Sequence, residues 1–235
     1  MRKVFSLLSL IFTTLFLGLT GLFVSLFTKK EDTIHRIARL WAKLLLKSGG
    51  ISVKVEDMGN IGNPPYVFMA NHQSALDILI LLAALPLSFK FVAKQELFRI
   101  PIFGLTMKKA GYISIDRANP REALKAIEEA VARIQGGANI LIFPEGTRSC
   151  DGKLLPFMKG AFSLAIRAGV PVAPLAIIGT NTLQPSGATV PLHTGTVTLR
   201  VGKPIPLEGK GSSYKNELME EVRGSIERLA QCRMN

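Results

Sequence analysis

The sequence predicts an α/β fold, a mainly parallel or mixed sheet covered by helices, preceded by an N-terminal two-helix membrane-binding element. Seven short runs rich in β-branched or aromatic residues alternate with helical patterns after residue 48, the pattern of a sheet packed on both faces. Before them, an uncharged stretch from Val4 to Phe27 and a basic amphipathic segment set the first 48 residues apart. A chain of 235 residues can bury one large core, so residues 1–48 read as a membrane-associating helical pair and residues 49–235 as one α/β domain.

Leu, Phe, Val and Ile dominate the first stretch, with Arg2 and Lys3 before it and Lys29 and Lys30 after it. As a helix it would be roughly 36 Å long, against a hydrocarbon core of about 30 Å. A secretory signal peptide is the competing reading, but the run is longer than the usual apolar region of one and no small-residue cleavage site follows. Thr13, Thr14, Gly18, Thr20 and Gly21 leave open a bent helix that enters one leaflet only. From Thr33 to Ser48, Ile34, Ile37, Trp41, Leu44 and Leu45 form a helical stripe, with Arg36, Arg39, Lys43 and Lys47 largely off it. Such a helix either lies at a bilayer interface or packs its stripe on the following domain. The excess of Lys and Arg after the apolar run favours the cytoplasmic side of an inner membrane for the rest of the chain.

Gly49-Gly50 opens the domain. Strands are expected over 51–55, 66–69, 89–92, 112–115, 139–143, 172–178 and 197–201, and helices over 74–85, 121–135, 157–168 and 214–229. Residues 184–195, punctuated by Pro185, Gly187, Pro191 and Gly195, read as an exposed loop. In folds of this kind ligands gather in the loops after the strands, so those loops are where chemistry is sought.

The formal charge of +12 implies attraction to something anionic: nucleic acid, an anionic membrane surface or a phosphorylated small molecule. Nucleic acid is disfavoured, because there is no zinc-knuckle spacing or RNP-type strand pair, and the aromatics are few and mostly Phe. Cys150 and Cys232 are far apart, and His35, His72 and His193 form no HExxH-like motif, so neither a disulfide framework nor a metal site is expected. His35 reads as a structural residue on a basic helix and His193 as a loop residue.

Two loop blocks carry chemistry. In Asn71-His72-Gln73-Ser74-Ala75-Leu76-Asp77, the five-residue spacing puts His72 and Asp77 about 140° apart on one helix, so His72 must precede the helix. With Ser74 as N-cap, a first-turn Asp77 returns toward the imidazole, fixes its tautomer and frees the other nitrogen to take a proton. Ser74-x-x-Asp77 also matches a capping box with no catalytic role. The second block, Phe143-Pro144-Glu145-Gly146-Thr147-Arg148-Ser149, offers close backbone approach at Gly146, a hydroxyl at Thr147 and a bidentate cation at Arg148. Glu145 suits either a substrate hydroxyl or Arg148, unless it merely pairs with a lysine. Arg117 and Lys94 end two further strands and add cations.

Taken together these residues resemble the 1-acyl-glycerol-3-phosphate acyltransferase family of glycerolipid synthesis. The likeness covers most of residues 66–178, through His72…Asp77, Gly111…Arg117, residues 143–149 and Val170-Pro171-Val172-Ala173-Pro174, with Ile115 and Ala173 as small departures. It implies that His72, oriented by Asp77, deprotonates the sn-2 hydroxyl of a lysophosphatidic acid, which attacks an acyl thioester of coenzyme A or acyl-carrier protein. It also implies that Lys94, Arg117, Glu145, Gly146, Thr147 and Arg148 serve the glycerol phosphate, and that Val170, Pro171 and Pro174 lie on the acyl side. No cofactor beyond that co-substrate is implied. The absence of a G-x-S-x-G elbow argues against a serine acyl-enzyme. The competing readings are an acyltransferase for another lysolipid or glycerol 3-phosphate, a thioester or lipid hydrolase, and a non-catalytic lipid-binding protein.

Overall fold

The computed structural model describes residues 2–63 and 65–231. Cys232 lies outside them. Helix α1 (Arg2–Phe27) is followed by α2 (Glu31–Gly49), whose first turn carries Glu31 and Asp32 and whose end is closed by Gly50 at φ 67°, its N–H reaching the carbonyls of Leu46 and Lys47. Acids at the start and a left-handed glycine past the end complement the helix dipole and its free carbonyls.

The seven strands are β1 (Ile51–Glu56), β2 (Val67–Ala70), β3 (Phe89–Lys94), β4 (Ile113–Ile115), β5 (Asn139–Ile142), β6 (Val172–Ile178) and β7 (Gly195–Val201). They form one sheet in the order β1-β7-β6-β2-β5-β3-β4. Neighbours from β6 through β4 are parallel, β7 is antiparallel to β6, and β1 is parallel to β7, so the sheet is mixed. Every residue of the central strands β2 and β5 is buried, as expected for strands covered on both faces.

Side-chain alternation divides the core in two. On one face Phe68, Leu141 and Leu175 pack with Ile34, Ala42 and Leu46 of α2 and with Ile80 and Leu81 of α3 (Leu76–Ala84). On the other, Val67, Met69 and Ile140 pack with α5 (Pro120–Gln135), α6 (Lys159–Ala168) and α8 (Lys215–Gln231). The stripe of α2 is therefore packed on the sheet, with Ile34 and Leu45 buried, while Leu40 and Leu44 remain exposed. Helix α1 lies along α2 and against α4 (Phe103–Lys109). The Trp41 indole N–H donates to Thr14 Oγ1 at 3.0 Å, and Thr106 Oγ1 donates to the Gly18 carbonyl at 3.3 Å. The other side of α1, including Phe12, Phe16, Phe23 and Leu26, is bare.

Helix α4 was not anticipated. Pro101 and Gly104 punctuate its sequence as a loop, yet the chain turns sharply at Ile102 (φ 61°), the Phe103 N–H reaching the Pro101 carbonyl at 2.6 Å, and the helix follows at once. The four-residue α7 (Thr180–Leu183) is a single turn. Other boundaries shift by one or two residues; the helix expected over 74–85 is observed over 76–84.

His35 is structural, as its sequence context implied, but it lies in the core and not on a basic surface. Its Nδ1 is 3.1 Å from the Tyr112 hydroxyl and its ring sits edge-on to Phe89. Burial, then the charges of Lys90 and Arg39, lower its pKa to about 4. A histidine whose folded pKa lies below its unfolded value takes up a proton on unfolding at any pH between the two. Stability is therefore expected to fall as pH drops from about 6.5 to about 4, by up to about 3 kcal/mol. Urea denaturation at pH 7 and pH 4.5 should show a smaller pH-dependent loss for His35→Gln than for the wild type; equal losses would refute the assignment.

Candidate active site

The site is built where β2 and β5 end side by side. Asn71 fixes the point at which the chain leaves β2: its Nδ2 donates to the Ile177 carbonyl at 2.8 Å and its Oδ1 accepts from the Ile177 N–H at 2.7 Å, extending the sheet with a side chain. His72 follows, and Asp77, fully buried, lies in the first turn of α3. His72 Nδ1 is 2.8 Å from Asp77 Oδ2, and the same oxygen accepts from the N–H groups of Gln73 at 2.6 Å and Ser74 at 2.8 Å. An oxygen already accepting two N–H groups takes a third bond as acceptor, so Nδ1 donates and Nε2 keeps the lone pair.

The capping-box and base-orienting interpretations thus meet on one atom, since the carboxylate reaches back to the Ser74 N–H and holds the imidazole as well. The cap differs in detail from the expected one. Helix α3 begins at Leu76, Ala75 takes the cap position, and Ser74 Oγ accepts from the Leu76 N–H while donating to the Gln184 carbonyl at 2.7 Å. The hydroxyl thus accepts locally at the start of the helix and donates to a distant carbonyl at the same time.

The Phe143 ring stacks on the His72 ring with centroids 3.9 Å apart and planes 14° apart. Phe143 was part of the second block in sequence, but nothing there marked it as the imidazole's neighbour. Beyond it the chain turns at Gly146 (φ 74°), where any Cβ would overlap the Met158 sulfur and come 3.2 Å from Arg117 Nη1, so glycine is required both for conformation and for space. The Gly146 N–H is used by the Phe143 carbonyl at 3.1 Å. The side chains this loop brings to the cleft are the Thr147 hydroxyl and the Arg148 guanidinium, with Arg117 alongside.

The Glu145 oxygens have partners other than the substrate hydroxyl or Arg148 expected from sequence. Glu145 is buried, its Oε1 accepts the His72 backbone N–H at 2.7 Å, and its Oε2 accepts the Leu155 N–H at 2.8 Å. Burial raises its pKa despite these two bonds. The Ser149 N–H donates to the His72 carbonyl at 2.8 Å, a further tie between the loops. No local spacing announces the two contacts to His72, which join residues more than seventy positions apart.

A cavity of about 620 Å³ is lined by His72, Lys94, Arg117, Gly146, Thr147 and Arg148, and otherwise largely by apolar side chains of β3 and α1 to α4, among them Leu17, Trp41, Ile78, Leu82 and Met107. The base and the cations predicted from separate segments thus share one cleft. Lys94 is exposed and pairs with Glu96 at 3.0 Å. Val170, Pro171 and Pro174 are not brought to the cleft. The Val67 N–H meets the Pro171 carbonyl at the start of the parallel pair, whereas the loops of the site leave its far end, about 13 Å along β2, and Pro174 lies within the pair opposite Met69. The apolar wall of this cleft comes instead from β3 and helices α1 to α4.

The sequence model of the acyltransferase family matches residues 52–178, a span holding both loops. The chain belongs to that family. A chloroplastic 1-acyl-sn-glycerol-3-phosphate acyltransferase of Brassica napus is 38% identical over 207 residues, covering 87% of this chain and 58% of its own. The enzyme of that name from Saccharomyces cerevisiae is 35% identical, covering 78% and 60%, and the alpha form from Mus musculus 34%, covering 82% and 67%. The chain spans a little over half the length of the first of these relatives. The crystal structure of a 1-acyl-sn-glycerophosphate acyltransferase from Thermotoga maritima superimposes with a TM-score of 0.78 at 29% identity, covering all of both chains.

Proposed function

We propose that this chain transfers a fatty acyl group from an acyl thioester, of coenzyme A or of acyl-carrier protein, to the sn-2 hydroxyl of 1-acyl-glycerol 3-phosphate, giving phosphatidic acid. The observation that carries this reading is the single cleft in which an oriented imidazole, a guanidinium-bearing loop and an apolar wall meet. His72 Nε2 takes the hydroxyl proton as the oxygen bonds to the thioester carbonyl carbon. The tetrahedral intermediate collapses, the carbon–sulfur bond breaks, and the thiolate receives the proton back from His72. Asp77 stabilises the imidazolium that exists between these steps. Arg117 and Arg148, with the Thr147 hydroxyl and Lys94, hold the phosphate, and the apolar walls take the acyl chains. The names of the relatives support the acceptor, and membership of an acyltransferase family supports acyl transfer.

The test is acceptor dependence. Purified protein given acyl-CoA or acyl-carrier protein should release thiol only when lysophosphatidic acid is present, with phosphatidic acid formed in equal amount. Thiol release that ignores the acceptor would instead establish a hydrolase.

In this reading residues 1–48 attach the domain to the cytoplasmic face of a membrane. The bare face of α1, flanked by Lys29 and Lys30, is the support. The full chain should float with anionic phospholipid vesicles, and the triple variant Phe12→Asp, Phe16→Asp, Phe23→Asp should not; flotation of both would refute the attachment surface.

A further inference from the structure

The loop that carries Arg148 is held from a part of the chain outside the family match. After Arg148 the backbone runs along residues 150–158 before α6 begins, and α8 grips this segment at Leu154 and Leu155. Arg223 Nη1 donates to the Leu155 carbonyl at 3.0 Å and Nη2 to the Leu154 carbonyl at 3.1 Å, a fork closing on two successive carbonyls. The guanidinium is set for this by Glu227, one helical turn on, at 3.1 Å from Nε, and by the Phe157 ring, whose centroid is 5.4 Å from its carbon. Leu155 faces both ways: its carbonyl accepts from Arg223 and its N–H donates to Glu145, whose other oxygen takes the His72 backbone N–H. Arg223, Leu155, Glu145 and His72 are thus joined by consecutive hydrogen bonds from the C-terminal helix to the imidazole-bearing loop.

We propose that Arg223 is a positioning residue for acyl transfer, acting through Leu155 and Glu145 to fix the backbone at His72. This rests on the transferase reading above. The physical reason is that Glu145 is a buried carboxylate whose two oxygens serve one donor each, so the location of its head group is set by both donors. Leu155 lies on an irregular segment with no helix or strand to define it, and the two carbonyls held by Arg223 supply that definition. Loosening the fork lets Leu155 move, Glu145 follows, and His72 loses register with the hydroxyl it must deprotonate. A displacement of about 1 Å at a reacting group can cost about 10²-fold in rate.

The test is a double-mutant cycle on kcat in the full chain, with lysophosphatidic acid and an acyl-CoA as substrates. Arg223→Gln and Glu145→Gln should each lower kcat by roughly 10- to 10²-fold, with the KM for lysophosphatidic acid changed by less than about threefold. The double variant should fall no further than the worse single one, and Arg223→Lys should restore part of the loss by refilling one carbonyl. Thermal melting of each variant separates this from a merely structural role, which would lower the melting temperature while leaving kcat per folded molecule unchanged and the two effects additive. Additive effects, or a rise in KM with kcat preserved, would overturn the proposal. An inactive wild type would instead remove the transferase reading; the relay would still then be read from amide hydrogen exchange at His72, which Arg223→Gln should accelerate.

Discussion

Replacing His72 with alanine is expected to lower kcat by about 10²–10⁴-fold, the range that a positioned general base contributes. The hydroxyl of a lysolipid is a weak nucleophile at neutral pH, and among the described residues lining the cavity no second imidazole or carboxylate is present to replace it. Flotation should change little, because the ring lies in the cleft, stacked on Phe143, and not on the bare face of α1. Asp77→Asn should lose nearly as much activity. The amide is neutral and no longer stabilises an imidazolium, and its nitrogen would either face His72 Nδ1 and favour the wrong tautomer or replace Asp77 Oδ1, which is buried without a hydrogen-bond partner. Initial rates at saturating substrate decide the matter. A His72→Ala enzyme with more than a tenth of wild-type kcat would exclude the imidazole as the base.

Arg148→Ala is expected to raise the KM for lysophosphatidic acid about 10- to 10²-fold with a smaller change in kcat. A hydrogen bond to a charged group contributes about 1.5–3 kcal/mol, and each 1.4 kcal/mol is a factor of ten. Arg148→Lys should fall between, since an ammonium cannot grip two phosphate oxygens in one plane. The informative control is an acceptor without the phosphate, such as a monoacylglycerol, whose poor turnover should be the same for wild type and variant. A KM for lysophosphatidic acid that does not move would place the phosphate elsewhere, with Arg117 the next candidate because its guanidinium borders the same Gly146 turn.

Much of the fold was legible because it is written locally. Strand patterns alternating with helical ones implied a sheet covered on both faces, and β2 and β5, buried throughout, sit at the centre of that sheet. The His72…Asp77 spacing limited the geometry to a loop imidazole and a first-turn carboxylate, and the two meet at 2.8 Å. Helix α4 escaped because Pro101 just before it and Gly104 within it mimic a loop, whereas in the fold it packs against α1.

By itself, then, the sequence determined the elements, the α/β class and the residue types of the chemistry, since each depends on neighbours within a turn or a strand. Only the tertiary structure decided which groups meet. It turned Glu145 from an apparent ligand for substrate into a brace between His72 and Leu155, stacked Phe143 on the imidazole, set Val170 and Pro171 at the far end of the strands, and brought α8 to the site through Arg223. The reason is that a buried carboxylate or a guanidinium fork takes whichever donors or carbonyls the closed chain presents, and those belong to residues about seventy positions away.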